Sequence, residues 1–246
     1  MTDPVVDYYS DITISYDRRF RHPFARRIHN VETAFLRAHV ANTASVLEFG
    51  AGTGRMTNEL LRIAGSVTVA EPAEMMVAAL HRRFAGTKLR LERAGIDELS
   101  RLPGYGSFDV VAGFHVLPHI AELSRAFDIL GAAVRPGGTV IFDLWNSATP
   151  YVLVRQLFRR PNPVLTIYLR EPEMLELISS AGLEITSHVA WGFPLGQRLG
   201  LSLDMLGDVG TRAVTTIFSR YAYGHLFATT VGNVEQRSIR ARQLAR

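Results

Sequence analysis

The sequence predicts an α/β fold: a doubly wound, mostly parallel seven-stranded sheet, helices on both faces, and a last antiparallel strand. Three observations lead there. Between residues 45 and 145, short apolar runs alternate five times with segments whose apolar residues recur at helical spacing, joined by short connections; that rhythm calls for parallel strands with helical crossovers. A glycine-rich turn, Gly50-Ala51-Gly52-Thr53-Gly54, follows the first strand. The chain has 246 residues, 47% hydrophobic and 20% charged, enough to bury a large core without staples.

The elements follow in order. Residues 1–43 are polar, aromatic and arginine-rich, and from Pro23 the spacing of Phe24, Ile28, Val31, Phe35 and Leu36 gives a helix face. This stretch is expected to form a helical lid or substrate segment, with Tyr8, Tyr9 and Tyr16 as candidates to cover a ligand. The main domain then runs over 44–246. Strands are predicted at 45–49, 67–70, 88–93, 108–113 and 139–145. Helices are predicted at 55–64, 73–84 and 121–134, the last stopped by Arg135-Pro136-Gly137-Gly138. Beyond Trp145 the rhythm breaks into helices at 150–160, 171–181 and 199–218, with strands at 183–191 and 221–231. The stretches 146–182 and 192–220 are read as substrate-side helical insertions.

Composition excludes several classes. There is no cysteine, so disulfides, zinc–thiolate sites and cysteine nucleophiles are absent. The formal charge of +4 is spread along the chain, and Lys88 is the one lysine among 27 basic residues. The clusters Arg155, Arg159, Arg160 and Arg237, Arg240, Arg242, Arg246 are read as solvated surface, and nucleic acid is not an expected partner. No apolar run approaches the ~20 residues that span a bilayer. The start, MTDPVVDYYSD, has no signal-peptide core. A cytoplasmic protein is expected; no oligomeric state is read from the sequence.

The chemistry starts at Glu48-Phe49-Gly50-Ala51-Gly52-Thr53-Gly54-Arg55. Glycines at the carboxyl end of a central strand let the chain turn into a helix and let a ligand approach the backbone. A dinucleotide fingerprint would place its third glycine where Arg55 stands, and no Gly-Lys-Ser/Thr follows for a triphosphate. Glu48 would repel a pyrophosphate but suits a cationic ligand. Glu71, closing the second strand, can accept both hydroxyls of a ribose. A ligand with a cationic amino acid end and a ribose but no phosphate is S-adenosylmethionine.

The stretch 45–145 resembles the class I S-adenosylmethionine-dependent methyltransferases, which are Rossmann-like. The matching pieces are VLEFGAGTGR (46–55), VAEPAEMM (69–76), AGIDEL (94–99), FDVVAGFHVLPHI (108–120) and VRPGGTVIFD (134–143). The resemblance implies that Glu48, Gly50, Ala51, Gly52 and Gly54 face the methionine part of the cofactor. It also implies that Glu71 and Pro72 lie at the ribose, Met76 on the adenine, and Gly95, Ile96 and Asp97 along its edge. Phe114 and His115 would flank the methionine part, with Tyr16 as lid. Many relatives carry aspartate where Gly95 stands, so Asp97 is offered in its place.

For catalysis His119 is the candidate base, since histidine titrates near neutrality, and His115 the second. These two histidines suggest no metal, because Pro118 intervenes and no third ligand is near. With no cysteine and no Asn/Asp-Pro-Pro-Tyr/Phe after the fourth strand, a small-molecule acceptor is expected. Its oxygen, nitrogen or carbon would receive the methyl. The expected wall, Trp145, Tyr151, Leu157, Phe158, Trp191 and Phe193, suits a hydrophobic or aromatic metabolite. The alternatives are an RNA methyltransferase and a non-catalytic S-adenosylmethionine-binding protein.

Overall fold

The computed structural model describes residues 3–158, 162–192 and 221–231. The expected helix at 199–218, most of the 192–220 insertion, Phe193, Arg159, Arg160 and the arginine tail lie outside them, as does the side chain of Tyr151. No helix among the described residues is long and apolar enough to cross a membrane.

The N-terminal segment is helical almost throughout. Helix α1 (Pro4–Tyr16) starts where Asp3 accepts the Val5 N–H, and Pro4 occupies the first turn, where no N–H is needed. A 3-10 turn (Asp17–Arg21) leads to α2 (Pro23–His39). The buried stripe of α2 is Ile28, Glu32, Phe35 and Leu36, one face at i, i+4, i+7, i+8. A glutamate on that stripe is unexpected, and its partners lie in the site described below.

The sheet has seven strands: β1 (Ser45–Phe49), β2 (Ser66–Ala70), β3 (Arg90–Glu92), β4 (Phe108–Gly113), β5 (Val134–Trp145), β6 (Leu183–Trp191) and β7 (Gly224–Val231). Their order is β3-β2-β1-β4-β5-β7-β6. All neighbours are parallel except around β7, which runs antiparallel to both β5 and β6. Helices α3 (Thr57–Ile63), α4 (Glu74–Arg83), α5 (Leu123–Ala133), α6 (Pro150–Leu157) and α7 (Glu171–Ser180) connect them. Side-chain alternation divides the core in two. Leu47, Val111, Phe142 and Phe227 pack on one face with α5 and α7; Val46, Val110, Ile141 and Leu226 pack on the other with α2 and α3.

Two expectations are corrected. The turn predicted at 135–138 is instead a bulge inside β5: Val134 pairs with Phe108, Thr139 with Val110, and Gly137 takes φ 73° between them. The Arg135 guanidinium donates to Asp109 across it at 2.7 Å. Helix α7, expected on the substrate side, belongs to the sheet-covering layer. Its Met174 and Ile178 are buried in the α5 core.

Candidate functional site

The strand order reverses direction between β1 and β4, and the glycine loop leaves β1 at that point. In open α/β sheets this crevice is where ligands bind. Gly50 and Gly52 sit at φ 65° and 58°, a region costly for any residue with a Cβ. A Cβ on Gly50 would also collide with Val116, so the loop lies against the segment leaving β4. A Cβ on Gly52 would meet only the Tyr16 ring, at 3.6 Å. The middle of the loop thus presents bare backbone towards the lid. Thr53 fastens the same edge: its hydroxyl donates to Asp17 at 2.5 Å, and its carbonyl accepts from Arg83 at 2.9 Å.

Two buried carboxyls flank the loop. Glu48 lies beneath it, accepting the Thr57 hydroxyl at 2.5 Å. Burial pushes its pKa up to about 7, with Thr57 and Arg55 opposing and Glu71 adding to the rise. Glu71 accepts the Gly52 N–H at 2.8 Å on one oxygen and the Ala73 N–H at 2.9 Å on the other. Burial raises its pKa against those two bonds. A carboxylate offers about four lone-pair sites, so each oxygen retains capacity for one hydroxyl. Room over Gly52 and spare acceptors on Glu71 fit a nucleoside ligand.

The other expected cofactor residues fall around this loop unevenly. Met76 is fully buried on α4, and Ala51 and Pro72 are half-buried. Phe114 is buried in the core on the α2 side, and Ile96 packs on the α5 core. The Gly95 N–H donates to Glu98 at 2.9 Å. Asp97 is engaged elsewhere: its carboxylate is 63% exposed and pairs with Arg125 of α5 at 2.9 Å. In this conformation it does not stand in for the carboxylate missing at Gly95.

Beside the loop lies a cavity of about 220 Å³. Tyr9, Tyr16, Phe20 and Phe24 of the N-terminal segment roof it. His115, His119, Trp145, Trp191 and Tyr223 form the wall from the sheet. Of the expected wall, Trp145 and Trp191 are present. Leu157 and Phe158 are not, being 77% and 67% exposed on and just beyond α6.

His119, in a short 3-10 turn (Leu117–His119), is 8% exposed. Its Nδ1 lies 2.7 Å from the Leu165 carbonyl, which can only accept, so Nδ1 carries a proton. In the neutral ring Nε2 is then the lone-pair nitrogen, and it receives the Tyr9 hydroxyl at 2.8 Å.

His115 is placed differently. It holds φ 61°, its N–H donates to Asp143 at 2.6 Å, and its Nε2 meets Glu32 at 2.7 Å. Burial works against its charged form, but Glu32 and Asp143 outweigh it and raise the pKa. Burial likewise works against an ionised Glu32, but His115 and Arg55 outweigh it, and the pKa falls. The two form a buried ion pair, and Arg55 completes it by donating to the other Glu32 oxygen at 2.5 Å. The Trp145 indole N–H in turn holds Asp143 at 2.9 Å. His115, offered as a second base, has its Nε2 turned to Glu32 at 2.7 Å, so that nitrogen is already engaged. Glu32 and Asp143 escaped the sequence reading. Glu32 had a signal, a charge at i+4 from Ile28 on an apolar stripe.

Known proteins resemble this chain along most of its length. A family model described as a methyltransferase domain matches residues 16–188. A ubiquinone biosynthesis O-methyltransferase from Rhizobium leguminosarum bv. trifolii is 28% identical, over 65% of this chain and 67% of its own. One of the same name from Nitrosococcus oceani is 28% identical, over 72% of this chain and 80% of its own. Among solved structures, a possible histamine N-methyltransferase from Thermotoga maritima superposes with TM-score 0.67 at 17% identity, over 91% of this chain and 98% of that one. Magnesium protoporphyrin IX methyltransferase from Synechocystis, solved with bound SAH, gives TM-score 0.65 at 14% identity, over 93% and 98%. At such identities these two show a shared fold.

Proposed function

The chain belongs to the methyltransferase-domain family and is an S-adenosylmethionine-dependent methyltransferase; from that premise we propose that its acceptor is a small aromatic hydroxyl compound, deprotonated by His119. The observation that carries this is the orientation of His119. Its proton is fixed on Nδ1 by the Leu165 carbonyl, and its lone-pair nitrogen receives a phenolic O–H, that of Tyr9, beside an aromatic cavity. An acceptor phenol that displaces Tyr9 makes the same bond. The names of the two ubiquinone-pathway relatives support the choice of a ring hydroxyl.

The bound cofactor supplies an electrophilic methyl group on a sulfonium, open to in-line displacement by the acceptor oxygen. Gly52 would leave room for it, Gly50 and Gly54 let the turn pack against Val116 and against Leu80 and Phe84, Glu71 would accept its ribose hydroxyls, and Glu48 would supply negative charge beneath the loop. Met76, Pro72, Gly95 and Ile96 flank the base, without help from Asp97. The lid, residues 1–43, excludes water through Tyr9, Tyr16 and Phe20. Orientation in such a closed site lowers a barrier by ~7–11 kcal/mol. His119 Nε2 would take the proton that the acceptor hydroxyl must lose. Protonated His115, between Trp191 and Trp145, stabilises the developing phenolate charge. The small, aromatic-roofed cavity disfavours an RNA acceptor, and a base aimed at a hydroxyl disfavours a module that binds without transfer.

Methyl transfer from radiolabelled S-adenosylmethionine to a panel of phenols, catechols and aromatic amines tests the reading. His119→Ala is expected to lower kcat by about 10²–10⁴-fold with cofactor affinity unchanged, and to remove a limb of the pH–rate profile near neutrality. Wild-type turnover in that variant, or transfer to amines alone, would refute it.

A further inference from the structure

A second group of ligand-type side chains converges outside the cavity, beneath the start of α7. His188 of β6 and His225 of β7 lie side by side, with His188 Nε2 2.9 Å from His225 Nδ1. Their rings are nearly parallel, 15° apart, and both stack on Phe227 of the α5–α7 core. Glu171, the first residue of α7, completes the group: one ligand atom from each residue lies within 4.8 Å of the others. His225 is buried, and Glu171 and His188 are half-buried. None of the three lines the methyl-transfer cavity.

We propose that Glu171, His188 and His225 form a binding site for one divalent transition-metal ion of the zinc–cobalt–nickel class. Two imidazole nitrogens and one carboxylate oxygen are the ligand types of that class, while magnesium and calcium prefer all-oxygen surroundings. With metal–nitrogen bonds of about 2.0–2.1 Å at tetrahedral angles, the two nitrogens must open from contact to about 3.3 Å. That is a shift of a few tenths of an ångström. Glu171 moves further, and its place at a half-exposed helix start allows it. The fourth position falls to water.

Asn146 sets the tautomer of the ion-free site. Its amide is fixed, because Nδ2 donates to the Ala222 carbonyl at 2.9 Å and Oδ1 accepts from Ala148 at 2.9 Å. Nδ2 also faces His225 Nε2 at 3.4 Å. Without an ion this makes Nε2 the acceptor and puts the His225 proton on Nδ1, pointing at His188. An ion on Nδ1 sends that proton to Nε2; it takes the place of the 2.9 Å His188–His225 hydrogen bond and turns the 3.4 Å contact with Asn146 Nδ2 into one between two donors, which the ring must ease away from. Such an ion would tie together α7, β6 and β7. Trp191 ends β6 and Tyr223 precedes β7, so it would brace one wall of the cavity.

Tag-free full-length protein, stripped with chelator, is titrated with Zn²⁺ by calorimetry and with Co²⁺ by visible spectroscopy. One saturable site and the d–d bands of tetrahedral cobalt are expected. His188→Gln and Glu171→Gln should each weaken binding by at least about tenfold, since even outer partners of a metal site cost that much. His119→Ala should leave binding unchanged. Nitrogen-15 spectra should show the His225 proton moving to Nε2 on Zn²⁺ addition. His188 is half-buried on a sheet-edge strand, and circular dichroism verifies that its variant folds. Absence of a saturable site, affinity unchanged in His188→Gln and Glu171→Gln, or binding lost in His119→Ala overturns the proposal.

Discussion

Replacing Glu32 by glutamine removes the one negative charge shared by two buried cations. Glu32 is 0% exposed, and the Arg55 and His115 side chains are 15% and 18% exposed, so solvent screens little of their interaction. Removing one partner of a buried pair strands the other and costs about 3–5 kcal/mol, a large part of the ~5–15 kcal/mol that holds a typical domain folded. The pH dependence carries a signature. His115 has its pKa raised above 6.5, so its contribution is complete below 6.5 and fades as pH climbs through the folded value. Glu32 has its pKa lowered below 4.5, so its contribution is complete above 4.5 and is lost as pH falls through the folded value. Both are complete between 4.5 and 6.5. Urea unfolding of Glu32→Gln against wild type should show the full loss near about pH 6, shrinking as the pH climbs through the raised folded value of His115. A difference below about 1 kcal/mol at the lower pH, or one that stays constant with pH, would refute the ion pair.

Two further outcomes follow from the glycine loop. Gly52→Val places a branched side chain at φ 58° against the Tyr16 ring; it should cost about 1–2 kcal/mol of stability and abolish S-adenosylmethionine binding in calorimetry, and unchanged affinity would remove the loop from the cofactor site. Glu48 titrates at about 7, and a cationic ligand favours its ionised form. Affinity for S-adenosylmethionine should therefore rise about tenfold between about pH 6 and 8, with a smaller rise for S-adenosylhomocysteine, which lacks the sulfonium; equal profiles would dismiss Glu48 as the cation's partner.

The parts of the site that the sequence made legible are those whose chemistry is local. Glu48 lies near the end of β1, the three glycines follow that strand and Glu71 follows β2, so spacing along the chain is enough to bring them to one edge of the sheet. What escaped depends on distant pairing. Tyr9 and His119 are 110 residues apart, and nothing in either segment names the other. His188 and His225 meet only because β7 inserts between β5 and β6. The bulge at 135–138 reads as a turn because Pro-Gly-Gly usually ends an element; here Arg135 and Asp109 keep the two strands together across it. Leu157 and Phe158 were placed in the cavity wall on hydrophobicity alone, a one-way rule, since much of any folded surface is apolar.

Arg55 joins what the sequence reading kept separate. It occupies the position that a dinucleotide loop gives to glycine for close helix packing, and its guanidinium reaches Glu32 on α2 and stacks on Phe20 at 4.6 Å. Glu32 holds His115, His115 bonds to Asp143, and Asp143 receives the Trp145 indole. One run of polar contacts thus leads from the end of the glycine loop, through the N-terminal segment, to the wall of the cavity. Undocking α2 would take Glu32 from Arg55 and leave His115 with Asp143 alone as counter-charge. Docking of α2 and the placing of Trp145 in the cavity wall therefore share one set of contacts. The arginine in the glycine position is what ties those contacts to the glycine loop.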